Sequence, residues 1–168
     1  VFDHIDVRRL QLKTTKAIRR LLPFKHLDVN EFESLVDELQ MTSFEEGEAI
    51  CVEGEEGFDF HIIVDGEVTV WKWSEDEQRD VEIVDLGVGA TFGEMALLRI
   101  DGKRTASVVA KGSVRTFSLA RRKFRGLLSS RSLQVIEYEL NKYDKENKRK
   151  TTKFKENAKA GLDGDAHG

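Results

Sequence analysis

The chain has 168 residues, 39% hydrophobic and 35% charged, a balance typical of one soluble globular domain and not of a disordered chain. No run approaches the roughly 20 apolar residues that span a bilayer, and residues 1–4 lack a signal-peptide pattern. We therefore expect a cytoplasmic protein with no membrane insertion.

The net charge of −4 conceals an uneven distribution along the chain. Residues 121–155 carry 12 basic and 4 acidic side chains, so the remainder is strongly acidic. Such a basic stretch could contact nucleic acid or an acidic partner. A solvated helix face is the simpler interpretation, and we expect no nucleic-acid partner.

Apolar residues at near-helical spacing before Pro23 predict an N-terminal helical segment over residues 1–24. Residues 28–31 resemble a capping box, which marks the start of a helix. Apolar side chains then follow at the i, i+3, i+4 and i+7 positions, namely Phe32, Leu35, Val36 and Leu39. This pattern predicts a short amphipathic helix.

From about residue 41 to residue 119 the periodicity becomes that of short strands. Runs of apolar and alternating residues are separated by glycine-containing turns, including 54–57 and a hairpin signal at Asp65-Gly66. The predicted strands are 49–53, 58–64, 68–73, 81–86, 105–110 and 113–119. The expected fold class is α+β: an antiparallel β-roll, similar to a jelly-roll barrel, flanked by N-terminal and C-terminal helices.

Helical periodicity returns after Ala120, first around Phe124 and then over residues 133–143. We expect C-terminal helices over about residues 120–156 and a disordered tail over residues 157–168. With the β-roll at about 41–119, these helices complete a predicted ligand-binding domain over residues 25–156.

The segment from Phe92 to Val108 interrupts the strands with small and apolar residues. Gly93 permits close approach of the backbone, and the next residues can form one helical turn with free N–H groups. The planar guanidinium of Arg104 matches a phosphate, and Glu94 can accept a hydrogen bond from a hydroxyl group. These residues predict an anion site with a hydroxyl acceptor beside it.

This segment resembles the phosphate-binding cassette of the cyclic-nucleotide-binding domain family. Members of that family have Phe-Gly-Glu, a hydrophobic residue and Ala-Leu, followed by a loop that ends in Arg-Ala-Ala or Arg-Thr-Ala. Residues 50–66 also resemble the strand-turn-strand pattern of the family, and the similarity extends from about Leu21 to Tyr143. The resemblance implies a sensor domain that binds cAMP or cGMP and catalyses nothing.

The resemblance also implies roles for individual residues. Glu94 would accept the ribose 2′-OH, and Arg104 would pair with the cyclic phosphate. Tyr143 falls near the aromatic residue that caps the base in kinase-type domains, although helix packing explains it equally well. The other predicted binding residues are Gly93, Met95, Ala96, Leu97, Thr105, Ala106 and Val84. Gly54, Gly57 and Gly66 are interpreted as turn glycines.

Thr105 bears on the choice between the two nucleotides. Its hydroxyl could bridge the phosphate and the guanine amino group, which favours cGMP slightly. Channel-type members with Arg-Thr-Ala nevertheless respond to cAMP. Val84 also stands where some cGMP-selective domains have an arginine, and it cannot make a polar contact with guanine.

The sequence is more similar to a regulatory domain of a cAMP- or cGMP-dependent protein kinase than to a channel domain. It contains no kinase motif, so a kinase catalytic domain would act as a partner in cis or in trans, and we expect the domain to belong to a larger protein. Open alternatives are a channel domain, a transcription regulator or a degenerate non-binding interaction module. Residues 145–168 are too polar for a helix-turn-helix, and intact Glu94 and Arg104 argue against degeneracy.

No other chemistry is predicted. The four histidines and the single cysteine lack metal-ligand spacing, and no serine has a histidine and an acid at motif spacing. We therefore predict no metal, no cofactor other than the nucleotide ligand, and no catalytic residues. Cys51 and His61 lie in apolar runs, which indicates packed side chains.

Overall fold

The computed structural model describes residues 14–99 and 102–162, together with residues 9 and 11. Residues 14–18 are helical, within the predicted N-terminal segment. The first long helix, α1 (Val29–Asp37), begins after Asp28, whose carboxylate accepts a hydrogen bond from the backbone N–H of Glu31 at 2.8 Å. The capping signal in the sequence therefore locates the start of this helix correctly.

The centre of the molecule is a six-stranded antiparallel sheet with the order β1-β6-β3-β4, in which β2 pairs with β6 and β5 pairs with β3. The strands are β1 (Gln40–Phe44), β2 (Ala49–Cys51), β3 (Asp59–Ser74), β4 (Arg79–Leu86), β5 (Thr91–Phe92) and β6 (Ser107–Ala120). The predicted antiparallel β-roll is confirmed. The sheet does not close into a barrel, however, because β1 and β4 are the two ends of its described pairing path.

The hairpin predicted at Asp65-Gly66 is wrong, because both residues lie inside the single long strand β3. Gly66 has a φ of +85°, and the pairing register with β6 shifts on either side of Asp65. A Cβ at Gly66 would lie 2.3 Å from the carbonyl oxygen of Ser113 on β6. The glycine thus permits a bulge and a bend in paired strands, and the chain does not reverse. Likewise, the strands predicted at 105–110 and 113–119 merge into one strand, β6, which begins only at Ser107 and has Gly112 at a φ of +82°.

Three helices complete the described chain: α2 (Met95–Leu98), α3 (Arg121–Leu127) and α4 (Ser130–Leu162). The tail predicted from residue 157 is corrected, since α4 continues through Leu162, and residues 163–168 lie outside the described part. Alanine, lysine and glutamate favour helix even without packing, which accounts for the extension. None of the described helices combines the length and apolar character needed to cross a membrane.

Two apolar clusters hold these elements together. One fills the inside of the β-roll around Ile63, Val68 and Val114. The other lies between the roll and the helices, where Phe24 contacts the rings of Phe60 and Phe124 at centroid distances of 5.5 and 5.7 Å. This second cluster also contains Leu97 and Leu98 of α2 and Ile136 of α4. The N-terminal segment, α2 and the C-terminal helices therefore share one core.

Glu31 joins α1 to the start of α4 by polar contacts. Its carboxylate accepts hydrogen bonds from the backbone N–H of Ser129 at 2.8 Å and from the hydroxyl of Ser132 at 2.7 Å. Burial of Glu31 acts to raise its pKa, but the hydrogen bonds from Ser129 and Ser132 outweigh burial and leave the pKa below its usual value. The carboxylate thus supplies an acceptor for the free N–H groups at the helix start.

Candidate functional site

Helix α2 and the turn before it form one wall of a cleft at the end of the β-roll. Gly93 has a φ of +77°, a conformation that favours glycine. The helical turn is closed by hydrogen bonds from Ala96 N–H to Gly93 O at 3.0 Å and from Leu97 N–H to Glu94 O at 3.1 Å. Glu94 begins this helix, and its side chain makes no capping hydrogen bond. The half-buried carboxylate lines the cleft instead.

Arg104 stands on a second segment of the cleft wall and is held by the turn at residues 54–57. Its backbone N–H donates to Glu55 O at 2.7 Å, and its carbonyl accepts from Gly54 N–H at 2.8 Å. Its side-chain Nη2 donates to the backbone carbonyl of Asp59 at 2.8 Å. These contacts fix both ends of the side chain, so the guanidinium is positioned before any ligand arrives.

Two glycines leave the space that the Arg104 side chain occupies. A Cβ at Gly57 would lie 2.4 Å from Arg104 Nε, and a Cβ at Gly93 would lie 2.5 Å from Arg104 Nη1. The sequence interpretation gave Gly57 only a role in a turn. Gly57 and Arg104 are 47 positions apart in the chain, so no local sequence pattern predicts that they lie against each other.

The cleft has a volume of about 690 Å³, within the range usual for small-ligand sites. It is lined by Gly93, Glu94, Met95, Ala96, Arg99, Gly102, Lys103, Arg104, Thr105 and Tyr143. Seven of these were predicted binding residues; Arg99, Gly102 and Lys103 were not. Three cationic side chains and one carboxylate therefore surround the cleft, which suits an anion that also carries hydroxyl groups.

Three predicted binding residues do not line the cleft. Leu97 is fully buried in the core shared with the helices, as its apolar side chain requires. Val84 is 47% exposed on β4, where it pairs with Val70 at the end of the sheet. Ala106 directly precedes β6 and is absent from the lining. The structure thus brings seven of the ten predicted binding residues together and leaves these three apolar positions outside.

The carboxyl end of α2 is held by the C-terminal helices. Arg121 Nη1 donates to the carbonyl of Arg99 at 2.6 Å, and Arg125 Nη1 donates to the carbonyl of Leu98 at 3.4 Å. The side chain of Arg99 pairs with Asp144 on α4. In the sequence, Arg121 and Arg125 were only parts of a basic stretch and Arg99 only a part of the segment from Phe92 to Val108. Their acceptors are backbone carbonyls or residues distant in the chain.

His61 lies close enough to Arg104 to sense its charge. It is 5% exposed, its Nδ1 lies 3.0 Å from the hydroxyl of Thr116, and its ring stacks on Phe92. Burial lowers the pKa of His61 to about 4, and the positive charge of Arg104 adds to that shift. The thiol of Cys51, also near Arg104, is buried, and burial raises its pKa. Both side chains are therefore uncharged at neutral pH, and neither is an ionic partner for Arg104.

Comparison with known proteins gives a consistent result. A family model described as the cyclic nucleotide-binding domain matches residues 41–131, more than half of the chain. A cAMP-dependent protein kinase regulatory subunit from Mucor circinelloides f. lusitanicus is 36% identical over 104 residues. That match covers 62% of this chain and 24% of the relative, so the chain spans about a quarter of the length of that protein.

Two solved structures share the fold. The cAMP-bound PfPKA-R (141–441) superposes with a TM-score of 0.63 and 28% identity, covering 77% of this chain and 44% of the other. The regulatory domain of Toxoplasma gondii PKA with cAMP gives a TM-score of 0.60 and 25% identity, covering 82% of this chain and 51% of the other. The roll and its flanking helices are therefore an arrangement that these regulatory domains also have.

Proposed function

The chain belongs to the cyclic nucleotide-binding domain family, and from this premise we propose that its cleft binds a cyclic nucleotide and regulates a cyclic-nucleotide-dependent protein kinase. One observation carries the proposal: Arg104 and Glu94 line the same cleft, whose volume suits a small ligand. Arg104 is preorganised by its bond to Asp59 O, and the Glu94 carboxylate makes no capping hydrogen bond to its own helix. A cyclic nucleotide needs both, because it presents an anionic phosphate next to a ribose hydroxyl.

In this proposal Arg104 pairs with the cyclic phosphate through charge-assisted hydrogen bonds. Its bond to Asp59 O uses one N–H, and the other donors remain for the phosphate. Glu94, an acceptor when ionised, takes the proton of the ribose 2′-OH in a hydrogen bond. Gly93, Met95 and Ala96 supply the wall against the sugar and phosphate.

The base lies toward Thr105 and Tyr143, which are both exposed and line the cleft. The Thr105 hydroxyl adds a modest preference for cGMP if it bridges the phosphate and the guanine amino group. The names of the relatives mention cAMP. The proposal is therefore that both nucleotides bind and that Thr105 changes the ratio of their affinities by a small factor.

In this proposal, ligand binding at α2 is transmitted to the C-terminal helices α3 and α4, and the domain itself catalyses no reaction. Arg121 and Arg125 on α3 hold the last carbonyls of α2, and Phe124 shares a buried core with Leu97. A ligand that shifts α2 must therefore also shift α3 and α4. A kinase catalytic domain, in cis or in trans, would respond to that movement.

Isothermal titration calorimetry tests this function directly. The wild-type chain should bind cAMP and cGMP, whereas 5′-AMP, which lacks the cyclic phosphodiester, should bind far more weakly. Arg104→Gln should lose affinity by tens to thousands-fold, since a buried charge partner is removed. Arg79→Gln, an exposed arginine on β4, is the matched control. A folded wild-type protein that binds neither cyclic nucleotide would overturn the proposal and favour a non-binding interaction module.

A further inference from the structure

The cleft is bordered by two elements that are distant in sequence, the end of α2 and the middle of α4. Arg99 Nη2 lies 2.5 Å from Asp144 Oδ1, and the two side chains are 40% and 34% exposed. Tyr143, the residue before Asp144, lines the cleft that Arg99 also lines. The ion pair therefore fixes α4 at the point where its aromatic side chain meets the candidate ligand site.

Asp144 is the last anchor of α4 among the described side chains. Leu133, Ile136 and Leu140 pack against the core shared with the roll, and they are the last side chains of this helix for which core packing is described. Among the side chains described beyond Leu140, Asp144 is the least exposed, at 34%, and Tyr143 beside it is 47% exposed. Before Tyr143 the helix is held by Leu140 in the core and by the pairing of Glu139 with Lys25, and the pair with Arg99 extends that attachment to the turn that carries Tyr143.

The other end of the pair is rigidly supported. The carbonyl of Arg99 accepts a hydrogen bond from Arg121 at 2.6 Å, and its backbone N–H donates to Met95 O at 3.0 Å. Successive residues on a helix point about 100° apart. A bond to Asp144 therefore restrains the rotation of α4 at this turn as well as its distance from α2, and the direction of the adjacent Tyr143 side chain follows from that rotation.

We propose that Arg99 and Asp144 are positioning residues that hold Tyr143 over the cleft and set the rate at which a cyclic nucleotide leaves. The inference rests on the proposed function for its ligand. It adds a pair outside the phosphate and ribose contacts, and assigns that pair control of release.

Stopped-flow displacement of a fluorescent cAMP analogue by excess cAMP measures the release rate. Asp144→Asn should raise the dissociation rate constant about 2- to 5-fold, the range for a partly exposed ion pair, and leave the association rate constant unchanged. In the Tyr143→Ala background, Asp144→Asn should have no further effect, because its action passes through the tyrosine. Added salt should speed release from the wild type more than from Asp144→Asn. Glu146→Gln, an exposed carboxylate on the same helix, is the control.

If Arg99 contacted the nucleotide directly, the variants of Arg99 and Asp144 would differ in their effects. If Arg99 touches the nucleotide, Arg99→Gln weakens binding while Asp144→Asn has the wild-type release rate, and the proposal is overturned. If the pair acts as proposed, the exchanged pair Arg99→Asp with Asp144→Arg restores slow release.

Amide hydrogen exchange of the ligand-free protein gives a readout that does not depend on the nucleotide. Asp144→Asn should accelerate exchange over residues 141–148, whereas Glu146→Gln should not. A wild type that binds no nucleotide yet shows this difference would refute the proposed function alone. Equal exchange in wild type and Asp144→Asn would refute the positioning pair.

Discussion

Gly57→Ala removes the space beside Arg104 without touching any predicted ligand contact. Gly57 is absent from the positive-φ glycines, so the backbone accepts alanine. The new Cβ would lie 2.4 Å from Arg104 Nε, 2.6 Å from Cζ and 2.8 Å from Cδ, all shorter than contacts that real Cβ atoms make. Since these atoms belong to a flexible side chain, the guanidinium should move and the fold should survive.

The loss can be estimated from the bonds that the displaced guanidinium no longer makes. Hydrogen bonds to charged groups contribute about 1.5–3 kcal/mol, which corresponds to about 13- to 150-fold weaker binding of cAMP and cGMP. The free energy of unfolding should fall by no more than about 1.5–3 kcal/mol, because the bond to Asp59 O is also made by a charged group.

Calorimetric titration and urea unfolding of the same preparations measure both quantities. Gly87→Ala is the matched control, because a Cβ there meets nothing within 4 Å and its φ is not positive. Gly57→Ala should add little in an Arg104→Gln background. Wild-type affinity in a folded Gly57→Ala protein would show that the position of the Arg104 side chain does not govern binding, and the reasoning would fail.

Thr105→Ala should lower cGMP affinity about 2- to 13-fold, the range for one neutral hydrogen bond, and spare cAMP; equal weakening of both would show that the hydroxyl does not contact the base. Because the pKa of His61 is about 4 in the folded state and 6.5 in the unfolded chain, its stabilising contribution is full above pH 6.5 and is lost as the pH falls toward 4. Urea unfolding at pH 7 and 4.5 should register a loss of about 2–3 kcal/mol that His61→Gln reduces, and an identical pH dependence in that variant would contradict the assignment. Glu31→Ala should lower the free energy of unfolding by about 1–3 kcal/mol, because it strands donors of Ser129 and Ser132. Glu33→Ala, an exposed position on the same helix, should change the free energy of unfolding little. Equal losses in the two variants would argue against a role of Glu31 as acceptor at the start of α4.

Local sequence patterns predicted much of the fold because they act over a few residues. The Asp28 cap and the apolar face of α1 located that helix, and the strand periodicity located the roll. The hairpin predicted at Asp65-Gly66 was wrong because local patterns are ambiguous there: a glycine at positive φ fits a hairpin turn and a bulge equally well. Only the pairing with β6, set by residues some fifty positions later, distinguishes the two.

In the candidate site, too, the local features were predictable from the sequence and the long-range contacts were not. Residues 93–105 form one contiguous segment, so most of its lining could be predicted from the sequence. The contacts of Gly57 with Arg104 and of Arg99 with Asp144 bring together residues more than forty positions apart. Such contacts depend on how the roll and the helices pack, and no spacing rule within a single sequence encodes them.

The length of α4 has a mechanical consequence. At 1.5 Å per residue, the 33-residue helix is about 50 Å long, and about 27 Å of it extends past Asp144. A tilt of about 10° at that point would sweep the far end through about 5 Å, the pitch of one helical turn. A small change in the tilt of α4 at the cleft is therefore enlarged, by geometry alone, into a displacement of several ångströms at the carboxyl end of the helix.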